Sequence, residues 1–143
     1  MQERSIDRKE FLTSLGISAA FVAYSTCFEG CNVANPVSAA PTNVDFTLDL
    51  TAAANGALKT NGGYVYNNGI IVARTTAGAY VAVYSVCPHA GATVQYDSKN
   101  NRFSCPAHGS NFATNGSVIN GPATQGLTKY NTSLNGTSLR VYS

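Results

Sequence analysis

Two short cysteine–histidine motifs constrain this 143-residue chain more than any other feature of its sequence. The first is Cys87-Pro88-His89 and the second is Cys105-Pro106-Ala107-His108, with fifteen residues between them. The chain has only two histidines, and both belong to these motifs. Each motif follows an apolar stretch and is short enough for one tight loop, so two neighbouring loops can present two sulfurs and two imidazoles to one point. Thiolate and imidazole together suit iron or zinc, so the sequence predicts a metal site.

Other uses of the same side chains are open at this stage. Two cysteines and two histidines can hold a structural zinc ion tetrahedrally, although zinc fingers place Cys with Cys and His with His. A catalytic Cys–His pair is a second alternative, but it needs one pair and a third orienting residue rather than two equivalent pairs. A domain that keeps the ligands without binding a metal is the third.

The strand and turn patterns predict an all-β domain over residues 44–143. Residues 44–50 alternate apolar and polar side chains, the period of a half-buried strand. Residues 63–74 read as a β-hairpin around Asn-Asn-Gly, because Asn and Gly accept the positive φ that such turns require. Further strands are predicted at 79–86, running into the first motif, and at 138–142. Strands spaced about 8 to 12 residues apart favour a sandwich or a small barrel.

The two motifs resemble the signature of the Rieske iron–sulfur family, in which Cys-x-His is followed, after a spacer of this length, by Cys-x-x-His. The resemblance implies a Rieske-type 2Fe-2S cluster. Cys87 and Cys105 would hold the inner iron, and His89 and His108 would hold the outer iron nearer solvent. It also implies the Rieske fold, an antiparallel β-sandwich base with a small cluster-binding subdomain over about 87–123. The implied activity is one-electron transfer, without turnover of a substrate.

The resemblance extends beyond the four ligands to residues expected to tune the cluster. Ser110 follows His108 as the family's serine does, and its hydroxyl is expected to hydrogen-bond a bridging sulfide. Gly121 and Pro122 match the proline loop that covers the cluster. Phe112 stands where the high-potential branch has a tyrosine that hydrogen-bonds a ligand cysteine. Because hydrogen bonds to cluster sulfurs favour the reduced state, one kept and one lost predict an intermediate potential.

A second departure from the family concerns a disulfide. In cytochrome bc complexes a disulfide links the two cluster loops, and its cysteines would fall at Ala92 and Ala107 in this sequence. Neither is present, so the resemblance implies loops held by packing and hydrogen bonds, as in the ferredoxin-like branch.

Residues 1–31 have the layout of an export signal. An uncharged, largely apolar stretch at 11–28 follows Arg4, Arg8 and Lys9, which is typical of a segment that directs export. Asp7-Arg8-Lys9-Glu10-Phe11-Leu12 resembles the twin-arginine motif, with Lys in place of the second Arg. The apolar stretch is shorter than the roughly 20 residues of a transmembrane helix, so a stable span is the weaker interpretation.

Cys27 and Cys31 follow this stretch and are the candidates for lipidation. Both lie in imperfect lipoprotein processing boxes, and a diacyl anchor would attach the protein to a membrane. The alternatives are a disulfide between Cys27 and Cys31, or removal of the whole signal near Val37-Ser38-Ala39. Residues 32–43 then read as a linker without a packing role.

Function is therefore predicted as electron transfer outside the cytoplasm, by a periplasmic or membrane-attached carrier. The alternative is a Rieske subunit of a membrane complex that oxidises quinol. The expected partner is a redox protein, such as a cytochrome or a quinol-oxidising complex. A net charge of +2 is too small to indicate a nucleic-acid partner. A soluble oxygenase ferredoxin is disfavoured because it needs no export signal.

Overall fold

The computed structural model describes residues 37–143, which form ten β-strands and one short 3-10 helix (Ala53–Lys59). The strands are β1 (Asp45–Asp49), β2 (Tyr64–Asn67), β3 (Ile70–Arg74), β4 (Tyr80–Tyr84), β5 (Gln95–Asp97), β6 (Arg102–Ser104), β7 (Asn111–Phe112), β8 (Val118–Asn120), β9 (Lys129–Asn135) and β10 (Ser138–Tyr142).

The strands form two antiparallel sheets. The base sheet has six strands in the order β1-β10-β9-β4-β3-β2, and the loop sheet has four in the order β5-β6-β7-β8. This confirms the all-β prediction. All four strands of the loop sheet fall within 87–123, the range expected for the cluster-binding subdomain.

The β2–β3 hairpin is confirmed, together with its turn. Asn68 and Gly69 have φ values of 48° and 77°, and two consecutive positive φ values define the turn type that fits the twist of paired strands. The 3-10 helix was not predicted. It contributes only Leu58 to the core, so it leaves no periodic apolar pattern in the sequence.

Strands β3 and β4 form a wall with a buried core on each side. Alternate side chains of a strand point to opposite faces, so Ile71 and Ala73 enter the core that also contains the two motif cysteines. Ile70 and Val72 enter the second core, which is enclosed by β1, β9 and β10. Burial on both faces explains why β3 is an unbroken apolar run rather than an alternating one.

The described part of the chain begins with a segment that contacts the base sheet. Ala40 packs against the second core, and the Tyr130 hydroxyl donates a hydrogen bond to the Pro41 carbonyl at 2.9 Å. The end of the 32–43 segment therefore packs on the base sheet, and the prediction of a linker without a packing role is wrong for residues 40 and 41. The predicted export signal at 1–31, with Cys27 and Cys31, lies outside the described residues. Within 37–143, no helix has the length and apolar character needed to cross a membrane.

A close backbone crossing joins the turn between β7 and β8 to the segment that leads into β9. The Leu127 amide donates to the Gly116 carbonyl at 2.8 Å. A Cβ atom on Gly126 would lie 2.6 Å from that carbonyl oxygen, closer than side-chain atoms approach backbone. Glycine at 126 therefore permits the crossing.

We expect Gly126→Ala to lower the free energy of unfolding by about 1 to 3 kcal/mol, the range for an overpacked site. Gly56→Ala is the matched control, because a Cβ there meets nothing within 4 Å. Urea unfolding of the two variants and the parent protein measures the difference. Equal midpoints for Gly126→Ala and Gly56→Ala would show that the crossing tolerates a side chain.

Candidate metal centre

The first motif lies on a loop closed by two backbone hydrogen bonds, which we call loop 1 (87–92). The Cys87 amide donates to the Ala92 carbonyl at 2.8 Å, and the Gly91 amide donates to the Cys87 carbonyl at 2.9 Å. Gly91 has a φ of 66°, a left-handed conformation that glycine adopts without strain. Strand β4 leads into this loop, so the position of Cys87 is set by the wall between the two cores.

The second motif lies on a loop of the same design, loop 2 (105–110). The Cys105 amide donates to the Ser110 carbonyl at 2.8 Å, and the Gly109 amide donates to the Cys105 carbonyl at 3.0 Å. Gly109 also has a positive φ, 78°. Strand β6 leads into loop 2 as β4 leads into loop 1, so each cysteine sits at the base of its loop.

The two cysteine side chains are buried and adjacent. Cys87 is 0% and Cys105 1% exposed, and neither forms a disulfide. Burial, and then the hydrogen bond with the Cys87 thiol, raise the pKa of Cys105. A thiolate in this apolar setting needs a compensating positive charge, and a metal ion bound by both sulfurs supplies one.

The two histidines form the outer half of the arrangement. Both side chains are exposed, and their ring centroids are 5.1 Å apart with the planes at 89°. Among the described residues, no three His, Cys, Asp or Glu side chains surround one metal position. The four motif residues form a buried thiol pair and an exposed imidazole pair, a division that suits a centre with two metal ions, each held by two side chains.

Ser110 is buried at the end of loop 2 and anchors the segment at 121–126, which we call the proline loop. Its side chain is 0% exposed, and its Oγ accepts a hydrogen bond from the Ala123 amide at 2.9 Å. A hydroxyl has one donor hydrogen besides its acceptor lone pairs, so this bond leaves the hydrogen free for another acceptor. Phe112 is fully buried in the same core as both cysteines.

A pocket of about 270 Å³ opens beside one histidine. It lies between loop 1 and the proline loop, and it is lined by Pro88, His89, Pro122, Thr124 and Gln125. None of these side chains carries a fixed charge, so contact with another molecule here depends on shape, apolar area and hydrogen bonds.

Two residues at this site were not found by sequence reasoning. The side-chain amides of Asn111 and Asn120 hydrogen-bond each other and also the carbonyl oxygens of Gly109 and Gly121. Asparagine is frequent in the turns of this chain, so nothing in the sequence distinguishes these two from the others.

Comparison with known proteins gives the family to which this arrangement belongs. Residues 48–131 match the family model described as Rieske [2Fe-2S] domain, a span that contains both loops. The cytochrome b6-f complex iron-sulfur subunit of Chlorobaculum thiosulfatiphilum is 28% identical over 136 residues, which are 94% of this chain and 75% of that protein. The corresponding subunit of Synechococcus sp. (strain JA-3-3Ab) is 39% identical over 70 residues, which are 49% of this chain and only 41% of the subunit.

Solved structures show the same fold. The cyanobacterial plasma membrane Rieske protein PetC3 from Synechocystis PCC 6803 superposes with a TM-score of 0.50 at 29% identity, covering 72% of this chain and 100% of that one. The ferredoxin of carbazole 1,9a-dioxygenase from Nocardioides aromaticivorans IC177 superposes with a TM-score of 0.53 at 20% identity, covering 71% and 98% of the two chains.

We expect Ser110→Ala to destabilise the protein by about 1 to 3 kcal/mol, because it leaves the buried Ala123 amide without its acceptor. Ser133→Ala, on the exposed face of β9, is the control and should change stability by less than about 0.5 kcal/mol. Thermal unfolding of both variants measures the difference. If Ser110→Ala unfolds with the parent protein, the hydrogen bond to Ala123 contributes nothing.

Proposed function

Because this chain belongs to the Rieske [2Fe-2S] domain family, we propose that Cys87, His89, Cys105 and His108 hold its cluster and that it transfers electrons at the outer face of a membrane. The observation that carries this assignment is the division of the four side chains into a buried thiol pair and an exposed imidazole pair. The Rieske cluster itself, and one-electron transfer by it, follow from membership of the family.

The arrangement fits the ligand set that such a cluster requires. Cys87 and Cys105 would hold the inner iron, and His89 and His108 the outer one. When bound, the group accepts and releases one electron without making or breaking a bond to a substrate. The chain then has two tasks. Its apolar core keeps water from the sulfur ligands, and the exposed imidazole edges provide the short route by which a partner exchanges the electron.

A structural zinc site uses the same residue types but needs a different arrangement. All four ligands would have to converge on one tetrahedral ion. Here the thiols lie inside the core and the imidazoles lie at the surface, which favours two metal ions over one.

We also propose tuning roles for Ser110, Phe112, Gly121 and Pro122. The Ser110 hydroxyl is held in place by the Ala123 amide and retains its hydrogen, which it would donate to a sulfur of the bound cluster. Phe112 offers no such donor, although it packs in the same core as both cysteines. Gly121 and Pro122 belong to the proline loop, which would cover the bound cluster, and Pro122 lines the pocket beside His89.

We place the protein outside the cytoplasm, as a membrane-attached or periplasmic electron carrier. The export-like sequence at 1–31 supports this location, and lipidation of Cys27 or Cys31 would supply the attachment. One similar solved structure, at 29% identity, is described as a plasma membrane Rieske protein. The uncharged pocket beside His89 suits docking on a redox partner through the histidine face.

A second candidate is a subunit of a quinol-oxidising complex. The observation that favours it is the 28% identity to a cytochrome b6-f complex subunit over 94% of this chain.

Gentle detergent extraction of native membranes, followed by purification and intact-mass analysis, distinguishes the carrier from the complex subunit. Co-purification with a cytochrome supports the subunit, whereas an isolated lipidated chain supports the carrier. An unprocessed chain starting at Met1 in the cytosol would refute both locations.

The purified holoprotein should contain about two iron and two acid-labile sulfides per chain. Its reduced form should give the low-average-g electron paramagnetic resonance signal of a cluster with mixed nitrogen and sulfur ligands. Cys105→Ser should abolish both iron content and signal, since the site loses a thiolate. The matched control is Cys31→Ser, which removes a cysteine outside the two loops and should keep the cluster. A native spectrum in Cys105→Ser would disprove the ligand assignment, and stoichiometric zinc without visible absorbance would disprove the cluster.

The reduction potential should respond to the groups that face the cluster sulfurs. We expect the parent protein within the Rieske range of about −150 to +300 mV. Ser110→Ala should lower the potential by removing a donor, and Phe112→Tyr should raise it by adding a hydroxyl in the core of the two cysteines. Protein-film voltammetry or a redox titration followed by absorbance measures both. A potential unmoved by Ser110→Ala would show that this hydroxyl does not tune the cluster.

A further inference from the structure

The side chains of Asn111 and Asn120 join loop 2 to the proline loop. The Asn111 amide nitrogen donates to the Gly109 carbonyl at 3.0 Å and to the Asn120 side-chain oxygen at 2.7 Å. The Asn120 amide nitrogen donates to the Gly109 carbonyl and to the Gly121 carbonyl, both at 3.0 Å. Four hydrogen bonds thus connect two strand residues with one carbonyl in each loop. We call this group of bonds the asparagine clamp.

A β-bulge brings the two asparagines opposite each other. Phe112 pairs with Val118, but its neighbour Asn111 pairs with Asn120, so Ile119 has no partner across the ladder. In an uninterrupted antiparallel ladder Ile119 would face Asn111, and Asn120 would lie beyond the reach of this pairing. Bulges of this kind re-aim a side chain. Here the bulge places Asn120 opposite Asn111 and leaves Ile119 54% exposed.

The chemistry of the contacts fixes the orientation of both amides. The groups that face them from the loops are carbonyl oxygens, which only accept, so the NH₂ end of each asparagine must point toward them. For Asn111 this orientation leaves its Oδ1 buried without a hydrogen-bond partner in the described residues. The hydrogen bonds that the Asn111 NH₂ group donates therefore determine the orientation of this amide, although its oxygen is left without a donor.

The positions of the two carbonyls show which loops the clamp joins. Gly109 stands between His108 and Ser110, and Gly121 directly precedes Pro122. The clamp therefore fixes loop 2, which carries one histidine and the buried serine, against the loop that lies on the other side of Ser110. Inside the same junction, the Ser110 Oγ accepts from the Ala123 amide at 2.9 Å. The clamp at the surface and this one buried bond thus join the same two loops.

We propose that Asn111 and Asn120 are positioning residues for the cluster, fastening loop 2 to the proline loop in a chain whose loops have no covalent link. The positions at which a disulfide would join loop 1 and loop 2 are Ala92 and Ala107, and both motif cysteines are free. The clamp joins loop 2 to the proline loop instead. It includes none of the four ligand side chains and acts through the backbone at Gly109 and Gly121. The proposal rests on the proposed function, because it assumes that the two loops enclose the cluster.

The test uses the holoprotein with Asn120→Ala, Asn111→Ala and the double variant. Asn120→Ala breaks three of the four bonds, and Asn111→Ala breaks two. Asn100→Ala is the matched control, since its amide donates to the Asp97 carboxylate at 2.7 Å in the β5–β6 turn, away from the loops. Three quantities are measured: the rate of cluster loss to an iron chelator, the hydrogen exchange of the Ala123 amide, and the reduction potential.

Asn120→Ala should lose its cluster roughly fivefold faster than the parent protein, the factor that about 1 kcal/mol corresponds to. The Ala123 amide should exchange faster, and the potential should fall because the Ser110 hydroxyl is no longer held toward the cluster. The double variant should show less than the product of the two single effects, because the two side chains share a bond. Asn100→Ala should match the parent protein in all three quantities.

Cluster loss, amide exchange and potential unchanged in Asn120→Ala would overturn the proposal. If Asn120→Ala yields no folded protein, Asn111→Ala decides by the same three measurements. A parent protein without iron and sulfide would instead refute the proposed function. In that case faster exchange at Ala123 in the variants would still show that the clamp fastens the two loops, and unchanged exchange would show that it does not.

Discussion

The burial of two adjacent thiols is the constraint on which the rest of the structure depends. Cys87 and Cys105 are members of the same apolar core as Phe103 and Phe112, so the proposed metal centre and the core of the loop sheet share one set of residues. Thiolates cannot stay charged in such surroundings without a cation. Metal binding through these cysteines, as proposed, would therefore be coupled to folding in this half of the domain, while the second core, around Leu58 and Leu139, is packed without the cysteines.

The parts of this structure that were predicted from sequence are those that local patterns determine. The hairpin turn at Asn68-Gly69 needs positive φ at two neighbouring residues, and few residue types supply it. The two motifs specify their own loops, because a strand, a cysteine and a glycine with positive φ follow one another within a few residues. The family resemblance added the fold and the identity of the metal group. The spacing of the motifs alone left open whether they hold two irons or one zinc ion.

The parts that were not predicted depend on contacts between distant residues. The bulge at Ile119 is a mismatch between two strands and cannot be seen in either strand alone. Asn120 looks like one more turn asparagine until the bulge places it against Asn111. Likewise, the contact between Pro41 and Tyr130 joins residues 89 positions apart. The 3-10 helix has a single buried side chain, Leu58, which is too little for a periodic signal.

The means by which the loops are held follow from where each contact lies relative to water. The bond from the Ala123 amide to Ser110 is buried, so water does not compete for it and a single bond is effective. The asparagine clamp lies at the surface, where Asn120 is exposed and each bond replaces one that water would make. A surface hydrogen bond contributes little alone, whereas the clamp places four such bonds, made by two side chains and two loop carbonyls, at the same junction. Loop 1, loop 2 and the proline loop also carry no charged residue, and the clamp therefore fastens the site without placing a charge beside the exposed histidines through which a partner would dock.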